Sequence, residues 1–364
     1  MWFLIIALMV AAVGGGALYL AKRMRKFKLI EKAEKSCKAG KALSFIAVLT
    51  AFVVLWLLLG LMNAMVCMIH AVIFWLICDC AAYFVKKMTG KKPKRYYAGL
   101  CAVVITVAYL SFGAFFAHHV YRTEYDITAQ KNISQPLKIV LFSDSHVGAT
   151  FDWKKFSEYV DEMNAQKPDV VVIAGDYVDD ETDRENMEKS CEALRKLKTK
   201  YGVYYAFGNH DAGYYSDVHR GYGKDDLISN LERNGVVVLQ DETVNIVGNY
   251  YLCGRQDSSL RDRIDMDMLM MGIPDDAYFI VLDHEPGDYE AQCKAKADLV
   301  LSGHTHGGQL IPINKVGEWF GINDMTYGHK RIENTDFIVS SGIGDWELDF
   351  KTGCISEYVV VNVH

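Results

Sequence analysis

Along the second half of this 364-residue chain, five apolar runs each end in a small cluster of His, Asp or Asn. The clusters are Asp144-Ser145-His146, Gly175-Asp176, Gly208-Asn209-His210-Asp211, His284, and Gly303-His304-Thr305-His306. Imidazole and carboxylate oxygen without thiolate suit divalent manganese, iron or zinc. Magnesium fits less well, because it favours oxygen donors and keeps its waters. A single Asp-x-His triplet arises by chance in many chains, and a lone histidine is more often a hydrogen-bonded core or surface residue. Five clusters closing five apolar runs, three of them beside glycines that permit tight turns, are instead the pattern of a metal site built along one edge of a sheet.

Such a site needs strands to carry it. Residues 137–143, 170–175 and 203–208 read as buried strands, separated by helical patterns at 153–166 and 185–198, which begins an α/β arrangement. The later runs 278–282 and 299–301 are equally strand-like. Hairpin signals follow the early strands, at 236–239, 244–247 and 250–253 with Gly248-Asn249 as a turn, and strands at 337–340 and 358–363 close the chain. Two packed sheets with helices outside would use all of these.

The charge is divided unevenly. Residues 1–120 carry 15 Lys+Arg against 3 Asp+Glu, and residues 121–364 carry 24 against 42, so a basic +12 part precedes an acidic −18 part. The first part is expected to be an all-α membrane region of four spans, at about 2–21, 42–60, 64–85 and 98–117, each of the order of the ~20 apolar residues a span requires. Gly60 and Asn63 mark the turn of the central hairpin. The first span lacks the basic start and small-residue cleavage site of a signal peptide. Gly14, Gly15 and Gly16 would allow its close packing. Lys22, Arg23, Arg25, Lys26 and Lys28 after it, and Lys86, Lys87, Lys91, Lys92, Lys94 and Arg95 between the last two, belong on the cytoplasmic side. The N-terminus and everything after Val120 are then extracytoplasmic, at what reads as a bacterial plasma membrane. Asp79 should snorkel toward Lys86 or Lys87, and His70, His118 and His119 read as packing or solvated residues. Residues 121–136 read as a polar juxtamembrane linker and 137–364 as the catalytic domain. The acidic surface argues against specific nucleic-acid binding while leaving room for a small phosphorylated substrate. The nine cysteines lack paired zinc-ribbon or disulfide spacing; Cys37 and four others lie in the membrane part, and pairing among Cys191, Cys253, Cys293 and Cys354 is left open.

The set Asp144-x-His146, Gly175-Asp176-x-x-Asp179, Gly208-Asn209-His210-Asp211, His284 and Gly303-His304-x-His306 resembles the calcineurin-like metallophosphoesterase superfamily. The run His304-Thr305-His306-Gly307-Gly308-Gln309, with Asp283-His284-Glu285-Pro286 before it, is similar to the YkuE- and YaeI-like membrane-associated branch. The resemblance implies a four-layer fold, two mixed sheets between helices, with two divalent ions at the strand ends. One ion would be held by Asp144, His146, Asp176 and His306, the other by Asp176, Asn209, His284 and His304. The implied chemistry is in-line attack on phosphorus by a hydroxide bound between the metals. His210 would protonate the leaving oxygen or steady the phosphoryl charge, Asp211 would orient its imidazole, and Asp179 would support a ligand. Where relatives commonly carry Arg, this chain has Ser341 in Ser340-Ser341-Gly342-Ile343-Gly344, so Arg255 is the candidate substrate contact, with Lys330 and Arg331 as others. Asp283 stands where serine is frequent.

The expected function is therefore hydrolysis of phosphodiester or pyrophosphate bonds, on lipid-linked or nucleotide substrates at the membrane surface. The alternatives are a phosphomonoesterase acting as nucleotidase or protein phosphatase, and a non-catalytic sensor or scaffold. The intact ligand set speaks against the last. Tyr214, Tyr215 and Tyr222, and Trp319, Phe320 and Tyr327, follow two of the clusters and are placed to stack on a base, dip into membrane lipids, or pack beneath their own loops.

Overall fold

The computed structural model describes residues 2–36, 40–91, 95–214, 217–260 and 262–364. Cys37, Lys92, Lys94 and Tyr215, named above, lie outside the described residues. The chain divides into two units, one of Met1–Ala114 with Glu347–Phe350 and one of Phe115–Trp346 with Lys351–His364.

The first unit is helical: α1 (Trp2–Met24), α2 (Lys28–Ser36), α3 (Gly40–Leu59), α4 (Leu61–Thr89) and the greater part of α5 (Tyr97–His118). Three of these are long and apolar enough to cross a membrane, over Ala42–Leu59, Leu61–Thr89 and Tyr97–His118, and α1 is helical across the first expected span. The break between α3 and α4 falls on Gly60 alone, at φ 83° and ψ 163°, a conformation open to a residue without Cβ. Asn63, expected in that turn, lies inside α4, where its side-chain amide donates to the Leu59 carbonyl at 3.0 Å. Leu20, Val48, Met68 and Trp75 pack at the centre of the helices. Asp79 does not turn to Lys86 or Lys87. Its carboxylate lies 2.8 Å from Arg23 Nε and accepts from the Tyr19 and Tyr96 hydroxyls, so it ties helices together. The His70 Nδ1 stands 2.8 Å from the Val66 carbonyl, in keeping with a packing role. The described cysteines are free thiols.

The second unit holds two six-stranded mixed sheets. The strands are β1 (Val120–Ile127), β2 (Leu137–Phe142), β3 (Val170–Ala174), β4 (Val203–Ala206), β5 (Val236–Leu239), β6 (Glu242–Val247), β7 (Tyr250–Gly254), β8 (Tyr278–Leu282), β9 (Leu299–Ser302), β10 (Gly328–Ile332), β11 (Thr335–Val339) and β12 (Ser356–Val363). One sheet runs β1-β12-β2-β3-β4-β5 and the other β10-β11-β9-β8-β7-β6. Side chains alternate across each strand, so Ile139, Leu141, Val170 and Val172 meet Leu252, Ile280, Leu282 and Leu301 between the sheets. On the other face of the first sheet, Val140, Phe142, Val171 and Ile173 pack with Phe156 and Val160 of α6 (Trp153–Ala165) and Met187 and Leu194 of α7 (Arg184–Leu194). Phe279, Val281 and Val300 bury the outer face of the second sheet under Met266, Leu269 and Tyr289. These are the four expected layers.

Residues 120–127 correct the linker boundary. They are an edge strand paired in parallel with β12, and only 128–136 remain a connector. Because β1 is half-exposed, with alternating burial, its sequence reads as polar. Leu252 is fully buried between the sheets and away from the ligand clusters. Leu252→Ala should cost about 2–5 kcal/mol by transfer and cavity terms, read from the urea midpoint at an unchanged m-value.

Candidate metal centre

Parallel pairing aims the ends of β2, β3 and β4 in one direction, with Phe142 level with Ile173 and Ala174 level with Ala206. In the second sheet β8 and β9 are likewise parallel, Leu282 lying beside Leu301. Each ligand cluster begins within a few residues of one of these ends, so the strands deliver them to one edge. The delivery requires unusual backbone. Asp144 (φ 50°), His146 (38°), Asp176 (51°), His304 (69°) and His306 (48°) are all left-handed. Such conformations cost about 1–3 kcal/mol each for residues with a Cβ, and they persist only where surrounding contacts hold them.

Two groups of ligating atoms form there: Asp144, His146 and His306, and Asp176, His284 and His304. Asp176 Oδ2 is 3.1 Å from His284 Nε2 and 3.8 Å from His146 Nε2, so its carboxylate faces both groups. Asp144 Oδ1 lies 3.5 Å from His306 Nε2 and accepts from the His304 amide at 2.9 Å. Two of the other ring nitrogens find supports that fix orientation: His284 Nδ1 is 2.6 Å from the Ala174 carbonyl and His304 Nδ1 is 2.9 Å from Asn209 Oδ1, while His146 Nδ1 makes a charge contact with Asp179 Oδ2 at 3.2 Å. Asp179 thus lies against His146. Asn209 meets His304 and also donates to the Tyr214 hydroxyl at 2.6 Å.

Divalent cations fit this set. His146 Nε2 and His284 Nε2, which face Asp176, are buried without a well-formed hydrogen bond among the described residues, an arrangement that costs free energy unless a metal or proton is shared there. The electrostatics agree. Burial opposes the charged form of Asp176, yet the imidazoles of His284, His146 and His210 hold it well below the usual carboxylate range. Burial would depress His284 and His146, but Asp176 foremost for the first and Asp179 foremost for the second raise both above ordinary histidine. His304 is lowered, by burial and then by His284.

His210 lies beside the two groups. Its backbone amide donates to Asp176 Oδ1 at 2.9 Å, and its ring contacts those of His146, Tyr214 and Trp346 at centroid distances of 5.1, 5.0 and 4.9 Å. Burial lowers its pKa. Asp211 corrects the expectation that it orients this imidazole. Its carboxylate accepts from the backbone amides of Asp176, Tyr177, Val178 and Gly208, which bind the turn after β3 to the turn after β4. Burial, with Asp176 nearby, pushes it up to about 6.

Arg255 is also corrected. It is 3% exposed, with Nη1 3.1 Å from Asp283 Oδ2 and 2.9 Å from Asp288 Oδ2, and Arg263 joins the same Asp283 carboxylate. The acid beside His284 thus consumes the guanidinium that sequence reasoning assigned to substrate. Arg331 pairs with Asp336, while Lys330 is exposed on β10. The aromatic residues separate as well: Tyr214, Trp319 and Phe320 are exposed, Tyr222 is buried, and Tyr327 donates to Glu357.

Sequence reasoning missed Asp345, Trp346 and Lys351. Asp345 Oδ1 is 3.6 Å from His306 Nδ1 and accepts from Gln309 at 3.0 Å. The fully buried Lys351 ammonium donates to the Ser341, Gly342 and Gly344 carbonyls and lies 3.2 Å from Asp345. Only the Ser-x-Gly-x-Gly run before them signalled a structured loop.

Gly208 leaves no room for a side chain: a Cβ there would meet the Asp176 carboxylate and amide. Gly208→Ala should weaken metal affinity by about 10- to 100-fold, measured by metal titration of the purified full chain. Gly287→Ala, in open space a few residues from His284, should bind as wild type.

The calcineurin-like phosphoesterase pattern matches residues 137–308. An uncharacterized metallophosphoesterase of Helicobacter pylori is 32% identical over 228 residues, covering 60% of this chain and 57% of that one. A transmembrane protein with metallophosphoesterase domain from Danio rerio is 30% identical over 236 residues, 61% of this chain and 52% of its own. The chain therefore spans a little over half the length of these two relatives. The Bacillus subtilis metallophosphoesterase YkoQ is 30% identical over 200 residues, 52% of this chain and 70% of its own. With the likeness running through the strand-end clusters and over most of YkoQ, this chain belongs to the calcineurin-like metallophosphoesterase family.

Proposed function

We propose that the protein is a membrane-anchored metal-dependent phosphoester hydrolase that cleaves phosphodiester or pyrophosphate bonds. The observation that carries this reading is the meeting of two buried carboxylate–imidazole groups at Asp176, with the His210 ring against them. Asp144, His146, His306 and Asp176 would hold one divalent ion, and Asp176, Asn209, His284 and His304 a second. Ions bound there would supply Lewis acidity toward phosphoryl oxygen and a water acidified toward neutral pH.

The protein's own part is positioning. His210 is anchored by its amide and walled by Trp346 and Tyr214, which places its imidazole N–H to donate toward the leaving oxygen. Asp211 acts one step back, through the backbone amides on either side of Asp176 and Gly208. No side-chain nucleophile is required.

A lipid-linked or nucleotide substrate met at the bilayer surface fits the remaining features. By sequence α5 ends at His118 and β1 begins at Val120, which leaves no long tether. Trp319 and Phe320, 68% and 77% exposed, offer apolar contact in the loop after His306. Four spans, with both basic loops cytoplasmic and the catalytic unit on the other side, remain the favoured topology.

Hydrolysis of bis(4-nitrophenyl) phosphate should exceed that of 4-nitrophenyl phosphate when the full chain is assayed with manganese. The reverse order would favour a phosphomonoesterase, and no turnover of either would favour the scaffold reading. His210→Ala should keep its metal content while kcat falls by about 10²- to 10⁴-fold; unchanged turnover would remove His210 from catalysis. Protease added to intact cells should cut the catalytic unit, and full protection would reverse the topology.

A further inference from the structure

We propose that the helical unit carries a binding site for the headgroup of an anionic phospholipid, at the end of the helices that bears the basic loops. A cavity of about 880 Å³ opens there, within the range that accommodates small ligands. Its basic lining comes from Arg23 near the end of α1 and Lys86 near the end of α4, with Lys26, Lys91 and Arg95 in the segments that follow α1 and precede α5. Among the described residues, its acidic lining is Asp79 alone.

That single carboxylate is already committed. Asp79 Oδ2 lies 2.8 Å from Arg23 Nε and accepts from the Tyr19 hydroxyl at 3.1 Å, while Oδ1 accepts from the Tyr96 hydroxyl at 2.8 Å. Tyr96 is held in turn by the Trp75 indole at 2.8 Å. Asp79 therefore neutralises Arg23 and fixes the floor of the cavity, leaving Lys26, Lys86, Lys91 and Arg95 without a carboxylate partner among the described residues. Lys26 rests over the Tyr96 ring, 4.9 Å from its centroid, which keeps an ammonium at the mouth.

A basic loop at a membrane helix end is ordinarily a topology signal and needs no ligand. Here the cations surround a formed cavity whose floor is braced by a three-residue hydrogen-bonded chain, and that exceeds what topology requires. The walls select the ligand further. Ala82, Val85 and Ala98 continue from the basic mouth onto the apolar flanks of α4 and α5, so acyl chains have a path that a free anion would not use. Basic pockets between membrane helices are suited to anionic headgroups, where phosphate meets several ammonium and guanidinium groups.

The test is thermal unfolding of the full chain in neutral detergent, followed by tryptophan fluorescence, with graded phosphatidylglycerol, phosphatidylcholine or inorganic phosphate. Phosphatidylglycerol should raise the midpoint saturably, by about 5 °C or more at high occupancy, and phosphatidylcholine should not. The triple variant Lys86→Gln, Lys91→Gln, Arg95→Gln should keep the lipid-free midpoint and lose the response. Equal shifts with both lipids, or an undiminished response in the variant, would overturn the site. Stabilisation by inorganic phosphate equal to that by phosphatidylglycerol would assign it to a free anion and overturn the lipid.

Discussion

The carboxylate of Asp211 holds together the part of the molecule on which everything else depends. It accepts four backbone amides drawn from two separate strand ends, three around Asp176 and one at Gly208. A buried carboxylate is costly unless its lone pairs are filled, and here the filling is done by backbone that would otherwise be unpaired in a tight turn. The same bonds bring Asp176 and Asp211 close together, and burial first, then repulsion from Asp176, pushes Asp211 upward. Against burial, Asp176 raises His284, and Asp179 with Asp176 raises His146, so both imidazoles answer the negative charge by holding protons more firmly than free histidine. Divalent cations would take over that role, and their binding would release the protons, coupling metal affinity to pH.

The left-handed residues follow from this arrangement. A strand that continued in extended conformation would carry Asp144 or Asp176 past the edge, whereas a left-handed residue turns the chain at once and returns the side chain to the sheet end. The cost is met by packing rather than by local preference. Buried strands with apolar side chains on both faces make the sheet ends rigid, and Lys351 fastens the carbonyls of the 341–344 loop beneath the site. A soft scaffold would relax the strained turns and separate the ligands.

These causes explain which features were legible in the sequence. The ligand clusters stood out because each closes an apolar run, and the core strands stood out because both of their faces are buried. β1 escaped notice because an edge strand half in water is composed like a linker, and its pairing with β12 joins residues more than 200 positions apart. Asp211 misled for a related reason: a carboxylate next to a catalytic-type histidine suggests an orienting partner, but its oxygens point to backbone amides that sequence does not display. Arg255 was misassigned because its partner Asp283 lies 28 residues onward, beyond any local pattern. Lys351 gave no signal, since its acceptors are main-chain carbonyls.

The fate of the arginines bears on recognition of the phosphoryl group. Arg255 and Arg263 are spent on Asp283, and Arg220 donates to the carbonyls of Asp211 and Tyr222 and lies over the Tyr222 ring. All three stiffen the walls of the site, and none is free to form a bidentate clamp on phosphate. On the proposed function, positive charge facing a phosphoryl group would then come chiefly from divalent ions held at the strand ends, with the His210 ring beside them. Specificity built this way rests on the shape of the surrounding aromatic loops and on where the substrate is presented. Those are the exposed segments that contain Tyr214, Trp319 and Phe320. On the proposed function, change in them would alter the choice of phosphoester while Asp211, Asp176 and the strained turns stay fixed.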